Sequence, residues 1–335
     1  MNKLLKSFFI IAVVTGLSAG SIVAQVKVSK VAQAGMKFLS VSAGARGVGM
    51  GDAFLASANN SEAMFWNPAG ITQVKKEIDV SLGYNKWIAD ITHQYLGAVY
   101  NAGNWGVFGA HLIYVDYGEL EGTRRSDIDP RGYVETGNFS PSALVAGLSY
   151  ARSISDKFSF GVNIKYVYQD LGSGYVSTGT ITEEYKTVDN KLGEFAFDIG
   201  TLYYTGFKDL RLAVNIANIS LEKGYVNETF PLPITLKFGM AMDVLKLFNI
   251  DPVHQLTLAV DALHLRDYSE RLHVGAEYSF NETVALRAGY KFNYDEDKFS
   301  AGFGLKIFKD IRLDYAYSPF TTLESVHRIS LGYEL

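Results

Sequence analysis

Residues 158–168 read FSFGVNIKYVY, and this stretch decides the fold. Large apolar side chains stand at every second position from Phe158 to Tyr168, and most of the positions between them hold small or polar residues such as Gly161 and Lys165. Successive side chains of a β-strand point to opposite faces, so the stretch predicts a strand with one apolar and one polar face. It is about twice as long as the ~5–6 residues typical of strands in soluble proteins.

The same alternation returns in the last part of the chain, at residues 284–292, 299–307 and 329–335. Aromatic residues gather at the ends of the apolar face, for example Phe158 and Tyr168. In a membrane β-barrel, aromatic rings form girdles at the two lipid–water interfaces. Strand length and aromatic placement together favour a transmembrane barrel over a soluble sandwich.

From Ile78 onward the pattern predicts an all-β fold, an antiparallel transmembrane barrel of 14 strands. The even number places both ends of the barrel on the periplasmic side. The predicted strands begin near Ile78, Thr92, Trp105, Ser142, Lys157, Gly193, Leu210, Ile234, Gln255, Glu270, Thr283, Lys298, Ile311 and Ser325.

The lengths of the connections support this count. The long polar connections at residues 119–139, 172–192 and 220–230 all follow odd-numbered strands, whereas connections such as residues 101–104 follow even-numbered strands and are short. Bacterial barrels have long extracellular loops and short periplasmic turns, so this parity is the expected one. The connection at residues 245–253 is longer than a tight turn and is an exception.

The N-terminus predicts export. Lys3 and Lys6 precede an apolar run at residues 8–14, and small residues lead to Ala24. This order is typical of a secretory signal peptide cleaved after Ala24. A membrane anchor is the alternative, but the run is shorter than the ~20 residues of a spanning helix. We therefore predict a signal peptide at residues 1–24, an N-terminal segment at 25–77 and a bacterial outer-membrane barrel at 78–335.

Composition excludes several classes of function. The chain has no cysteine, and its net charge of −4 offers no basic surface for nucleic acid. Its six histidines are scattered without metal-binding spacing, and no Gly-x-Ser-x-Gly elbow occurs after the predicted signal peptide, which holds the one match to that pattern at residues 16–20. We expect no enzyme, no metal and no cofactor, and outer-membrane lipids as the surroundings. A barrel enzyme that assembles Ser, His and an acid from different strands remains an open alternative.

Two motifs distinguish the N-terminal segment. The first, at residues 44–53, is rich in Gly and Ala, which permits close backbone packing. The second, at residues 66–70, contains an Asn-Pro pair that favours a turn after a short helix. They predict a compact segment against the barrel or inside its mouth. The residues expected to serve packing or lumen gating are Gly44, Ala45, Arg46, Gly49, Met50, Gly51, Trp66, Asn67, Pro68, Ala69 and Gly70.

Three local patterns have competing interpretations. Residues 47–51 are G-x-G-x-G, but they lack the lysine of a phosphate-binding loop, so packing is favoured. Arg46 among small residues predicts a buried carboxylate partner or a bond to carbonyls, with ligand contact as the alternative. Asp127 and Asp129 could bind calcium, although a self-paired surface charge run fits better.

The Gly-Ala-Arg-x-x-Gly-Met-Gly-x-Ala block at residues 44–53 and the Trp-Asn-Pro-Ala-Gly block at 66–70 resemble the PorV/PorQ family, distant relatives of the FadL fatty-acid transporters. The chain end, with Tyr333 and Leu335, resembles the assembly signal of outer-membrane barrels, except that an aromatic final residue is the stronger form.

The family resemblance implies a barrel of 14 strands with its N-terminal segment near the lumen. It also implies a part in type IX protein secretion or surface delivery of cargo, with secretion components and secreted cargo as partners. The alternative is a FadL-like channel for long-chain fatty acids or another hydrophobic small molecule. That alternative expects a continuous apolar pocket in the barrel and a lateral opening in its wall.

Overall fold

The computed structural model describes residues 33–178, 185–225 and 228–335, so the predicted signal peptide lies outside the described residues. Fourteen strands form one closed antiparallel barrel, and β4 and β5 form a separate hairpin. The strands are β1 (Ile78–Lys86), β2 (Thr92–Asn101), β3 (Val107–Asp116), β4 (Leu120–Arg125), β5 (Tyr133–Phe139), β6 (Ser142–Ser153), β7 (Phe158–Ser177), β8 (Tyr185–Tyr204), β9 (Arg211–Ile219), β10 (Thr235–Asp243), β11 (His254–Leu265), β12 (Arg271–Phe280), β13 (Val284–Phe292), β14 (Phe299–Ile307), β15 (Ile311–Ser318) and β16 (Val326–Glu334).

The barrel closes where its first strand meets its last. β1 pairs with β16, with Val80 opposite Tyr333 and Leu82 opposite Leu331. Each barrel strand therefore has a neighbour on both sides. Closure satisfies the backbone N–H and C=O groups between strands, which lipid cannot do.

The two faces of the wall differ as the period of two predicts. On β13, Leu286 and Tyr290 are exposed on the outside, whereas Arg287 and Lys291, which directly follow them, are buried inside the barrel. The apolar residues face lipid, and the polar and small residues face the lumen.

The predicted fourteen-strand barrel is confirmed, with two differences in the extracellular connections. Residues 119–139 contain the hairpin β4–β5. Most of residues 172–192 extends β7 and β8 beyond the barrel, with Ser173 opposite Asp189. Outside the membrane neither face of a hairpin needs to be apolar, so these strands lack the alternation that revealed the others.

Short helices occur in the N-terminal segment and in the connections. α1 spans Ala45–Gly49 and α2 spans Ala63–Trp66. The 3-10 helices are Lys37–Ser40, Pro68–Gln73, Ile88–Asp90, Gly103–Trp105 and Val244–Leu247. Among the described residues, no helix has the length and apolar character needed to cross a membrane.

The N-terminal segment runs along the lumen. Asp79 lies opposite Glu334, so the ends of β1 and β16 share the periplasmic side. The described chain begins at the opposite side, where the Gly35 N–H donates to the Pro231 carbonyl in the connection between β9 and β10. The two ends of the barrel thus share one side, as the even strand count predicts, and the segment before β1 passes through the barrel from the other side.

We predict that Phe303→Arg destabilises the barrel strongly. Phe303 lies at the middle of β14 and faces lipid. An arginine at the bilayer midplane costs about 2–4 kcal/mol, against about 0–1 kcal/mol near the interface. Phe308→Arg, in the turn after β14, is the matched control. The free energy of unfolding from lipid vesicles measures both, and equal losses would contradict the assigned faces.

Candidate functional site

Residues 44–71 fill the lumen, and we call them the plug. Serine side chains of the barrel bind its first helix. The Ala45 N–H donates to Ser330 Oγ at 2.7 Å. Ser300 Oγ accepts the Gly51 N–H at 2.9 Å and donates to the Val48 carbonyl at 2.6 Å. These bonds replace water for a helix too short to satisfy its own backbone.

A carboxylate holds the turn after the first helix. Oδ2 of Asp261, on β11, accepts the N–H groups of Phe54 and Leu55, each at 2.9 Å. Asp261 and Phe54 are almost completely buried. A carboxylate that accepts two backbone N–H groups forms charge-assisted bonds, which are stronger than neutral ones.

Asparagines of the wall bind the second helix. Asn163 Nδ2 donates to the Met64 carbonyl at 2.7 Å, and Asn215 Nδ2 donates to the Trp66 carbonyl at 3.0 Å. Both asparagines are buried on the lumen face. Their amides satisfy carbonyls at the end of α2 that have no partner within so short a helix.

The Asn-Pro turn fits against two wall glycines. Asn67 Nδ2 donates to the Thr201 carbonyl at 3.0 Å, and Asn67 Oδ1 accepts the Ala69 N–H at 3.1 Å. A Cβ at Gly161 would lie 2.4 Å from the Ala69 nitrogen, and one at Gly200 would lie 2.1 Å from Asn67 Oδ1. Any side chain at these two wall positions would displace the turn.

The first motif makes a similar close approach on the other wall. A Cβ at Gly49 would lie 3.3 Å from the Cα of Gly302. Gly51 has a φ of +64°, and a Cβ there would lie 2.7 Å from the Tyr290 nitrogen and 2.9 Å from the Gly289 Cα. Glycine is required here both by the backbone conformation and by the contact.

Arg46 joins the plug to a buried charge network. Its Nε and Nη2 donate to the two carboxylate oxygens of Glu277 at 2.9 and 2.7 Å, and its Nη1 donates to Asn59 at 2.6 Å. Arg287 donates to the same Glu277 and to Asp314, both at 2.6 Å. The fork of arginine suits this two-point contact with a carboxylate.

Glu62 is a second buried acid, and its environment differs. It is 2% exposed, its Oε1 accepts the Tyr95 hydroxyl at 2.5 Å, and its Oε2 has no hydrogen-bond partner among the described residues. Burial, and then the neighbouring Asp314 charge, raise the pKa of the Glu62 carboxyl. Glu62 therefore retains its proton more readily than an exposed glutamate does.

Cavities lie on both sides of the plug in the lumen. The periplasmic cavity has a volume of about 230 Å³ and is bordered by Arg46, Lys75 and Arg312. The upper cavity has a volume of about 130 Å³ and is bordered by Trp66 and Lys237. Within the described ranges, no residue lines both cavities. The buried core of the plug separates them.

All the motif residues predicted from the sequence lie in the plug, and their role in packing or gating stays a prediction. The sequence did not identify their partners on the wall, nor Glu62. Alternation places Ser300, Asn163 and Asp261 on the lumen face, but only the three-dimensional path of the plug selects them from the other polar residues of that face.

The acidic residues considered as calcium ligands bind arginines instead. Asp127 accepts Arg125 Nη2 at 2.8 Å, and Asp129 accepts Arg131 Nε at 3.2 Å. In the part of the chain that the structure describes, no group of three or more His, Asp or Glu residues could hold a metal ion.

Comparison with known proteins places the barrel in a family. The family model described as "Type IX secretion system protein PorV" matches residues 24–265. No curated protein sequence matches the chain. The family is one of outer-membrane barrels and not of enzymes.

Solved structures share the fold at low sequence identity. The toluene transporter TbuX of Ralstonia pickettii is 15% identical, with 88% of this chain and 98% of that chain covered and a TM-score of 0.62. The toluene transporter TodX of P. putida is 15% identical, with coverages of 88% and 99% and a TM-score of 0.58. A Pseudomonas aeruginosa FadL homologue is 12% identical, with coverages of 88% and 98% and a TM-score of 0.56. These likenesses concern the fold alone.

We predict that Gly51→Ala loosens the plug more than Gly103→Ala does. Both glycines have positive φ, +64° and +62°, so both variants lose about 1–2 kcal/mol to backbone strain. Only the Gly51 variant also meets wall atoms, because nothing lies within 4 Å of a Cβ at Gly103. Hydrogen exchange of amides in residues 45–58 should rise in the first variant alone. Equal exchange in both would show that the contact does not hold the plug.

We also predict that replacing a buried glutamate by glutamine lowers the stability of the barrel at Glu277 but not at Glu62. Glu277→Gln leaves Arg46 and Arg287 without a shared carboxylate, and breaking a buried ion pair costs about 3–5 kcal/mol. Glu62→Gln keeps an acceptor for Tyr95, and it removes a carboxyl whose ionisation burial disfavours. The thermal midpoint should fall markedly for Glu277→Gln and change little for Glu62→Gln. The reverse order would refute the assignment of the network.

Proposed function

The chain belongs to the PorV family of type IX secretion system proteins, and we propose that it takes part in type IX secretion as a plugged barrel in the bacterial outer membrane. Family membership implies association with the secretion machinery. The observation that supports a specific role is the closed lumen, because the plug is bound to several sides of the wall and separates two small cavities. We therefore propose that secreted cargo is handled at the outer surface and does not pass through this lumen.

The extracellular hairpins supply a surface for such contacts. The Tyr185 hydroxyl at the start of β8 donates to the Arg125 carbonyl of β4 at 2.6 Å. The Arg124 guanidinium stacks 4.7 Å from the centre of the Tyr185 ring. These contacts hold the hairpin β4–β5 against the extension of β7 and β8. Apolar side chains are exposed on both hairpins. Ile128, between β4 and β5, is 82% exposed, and Val176, in the extension of β7, is 50% exposed.

The alternative function, a channel for hydrophobic molecules, fits the lumen less well. It requires a continuous apolar path, whereas charged residues such as Arg312 and Lys237 border the two cavities and the plug lies between them. The toluene transporters named above share the fold, but at 15% identity that likeness does not assign their substrate to this chain. The lumen geometry supports the secretion role over a channel.

Deleting the gene tests the secretion role. We expect proteins to disappear from the cell surface and the culture medium, and expression of the unaltered chain should restore them. An unchanged surface and secreted proteome after deletion would sink the proposal.

A disulfide lock tests whether the lumen is the route. The Leu55 Cβ lies 2.9 Å from the position of a Cβ at Gly239, which is closer than the ~3.5–4.5 Å of a disulfide, so the plug backbone must shift slightly to form the bridge. A Cβ at Gly239 would also lie 2.5 Å from Asp261 Oδ1, and the Gly239→Cys single variant shows the effect of that contact alone. The chain has no cysteine of its own, so Leu55→Cys with Gly239→Cys forms a single bridge between plug and wall. We expect secretion to be the same under oxidising and reducing conditions. Each single variant is the control. Loss of secretion only in the oxidised double variant would show that the plug must open.

A further inference from the structure

The outside of the barrel has an apolar groove of about 560 Å³ across β2, β3, β6 and β7, with one side at Phe195 of β8. Its floor consists of the small side chains of Ala98, Ala110 and Ala146. Ala98 is directly opposite Ala110, and Ala146 is opposite Leu112 on the next strand pair. Three adjacent strands thus carry alanine at neighbouring outward positions, which leaves a depression in the wall.

Large apolar side chains form the rim of this groove. Leu148 is 68% exposed and Phe195 is 56% exposed. Leu112 and Tyr166 also border it, its one lining histidine, His111, is buried, and no acidic residue, lysine or arginine lines it. The rim and floor therefore present hydrocarbon almost throughout, which suits an apolar occupant.

The groove lies across the middle of the membrane-facing belt. Tyr166 is four residues from Asp170, which lies opposite the extracellular start of β6 at Ser142. Ala98 and Ala110 are each three residues from the periplasmic ends of β2 and β3. At about 3.3 Å per residue along a tilted strand, the groove is below the headgroups and inside the ~25 Å apolar band.

We propose that this groove binds an acyl chain of a membrane lipid. The belt is the surface that the barrel already presents to lipid, and the groove is continuous with it. A void beside the three alanines would forfeit dispersion contacts that a flexible chain can make. The bound chain exchanges more slowly than a chain lying on the flat wall, because the rim surrounds it on several sides.

The same part of the wall supports the plug from inside. The Met64 side chain packs against Gly97 and Gly109, where a Cβ at Gly109 would lie 2.4 Å from the Met64 sulfur. Ala98 and Ala110 are their chain neighbours and face outward. One layer of backbone therefore separates the lipid groove from the second plug helix.

Filling the groove tests the proposal. Ala110→Phe occupies the floor, and Ala288→Phe, on the outward face of β13, is the matched control. Purified protein in mild detergent is examined by native mass spectrometry for retained lipid. Separately, the immobilised fraction of spin-labelled phospholipid is measured in vesicles. We expect the retained lipid and part of the immobilised fraction to be lost in Ala110→Phe and kept in the control.

Equal lipid retention by Ala110→Phe and the unaltered chain would overturn the proposal, as would a protein rather than a lipid bound at the groove. Ala146→Leu is a milder second variant, which is used if Ala110→Phe does not migrate as a folded barrel before heating. These measurements concern lipid only, so their outcome is independent of the secretion assay.

Discussion

Backbone polar groups at membrane depth must find partners within the protein, and the rest of the structure depends on this constraint. The wall meets it by closing β1 against β16. The plug cannot satisfy its backbone groups alone, because its helices are only one or two turns long and its remaining backbone is irregular. Lumen side chains of the barrel take over, as when Asp261 accepts two N–H groups and Asn163 donates to a carbonyl. The polar side chains on the lumen face of the strands thus supply hydrogen-bond partners for the backbone of the plug.

The charged side chains buried in the lumen also find their partners within the protein. Arg46 and Arg287 share Glu277, and Arg287 also reaches Asp314, so the two cations and two anions compensate one another. An isolated charge at this depth would be costly, and removing one member would leave the others uncompensated. The network also links the plug to three strands, β12, β13 and β15, which gives the segment a defined place in the barrel.

The sequence predicted the barrel because lipid imposes a simple rule on every strand that crosses it. Starts such as Ile78, Thr92 and Ser142 were correct to the residue. Beyond the membrane surface the alternation of apolar and polar residues is no longer required, and the sequence pattern did not predict the hairpin β4–β5 there. The motifs predicted a compact segment but could not predict its direction through the lumen. Nor could they select Glu277 as the partner of Arg46, because that contact joins residues far apart in the chain and depends on where the plug lies.

The path of the N-terminal segment has a consequence for biogenesis. Gly35 binds Pro231, and Lys37 pairs with Asp267, both in extracellular connections, while the chain leaves the plug on the periplasmic side to begin β1. A barrel completed first would have to admit this segment end-first from below, past the wall groups that bind it. We expect the reverse order of assembly, in which the sheet curls around a segment already seated and the last seam, between β1 and β16, joins afterwards. The plug would then act as a template for the barrel during its formation.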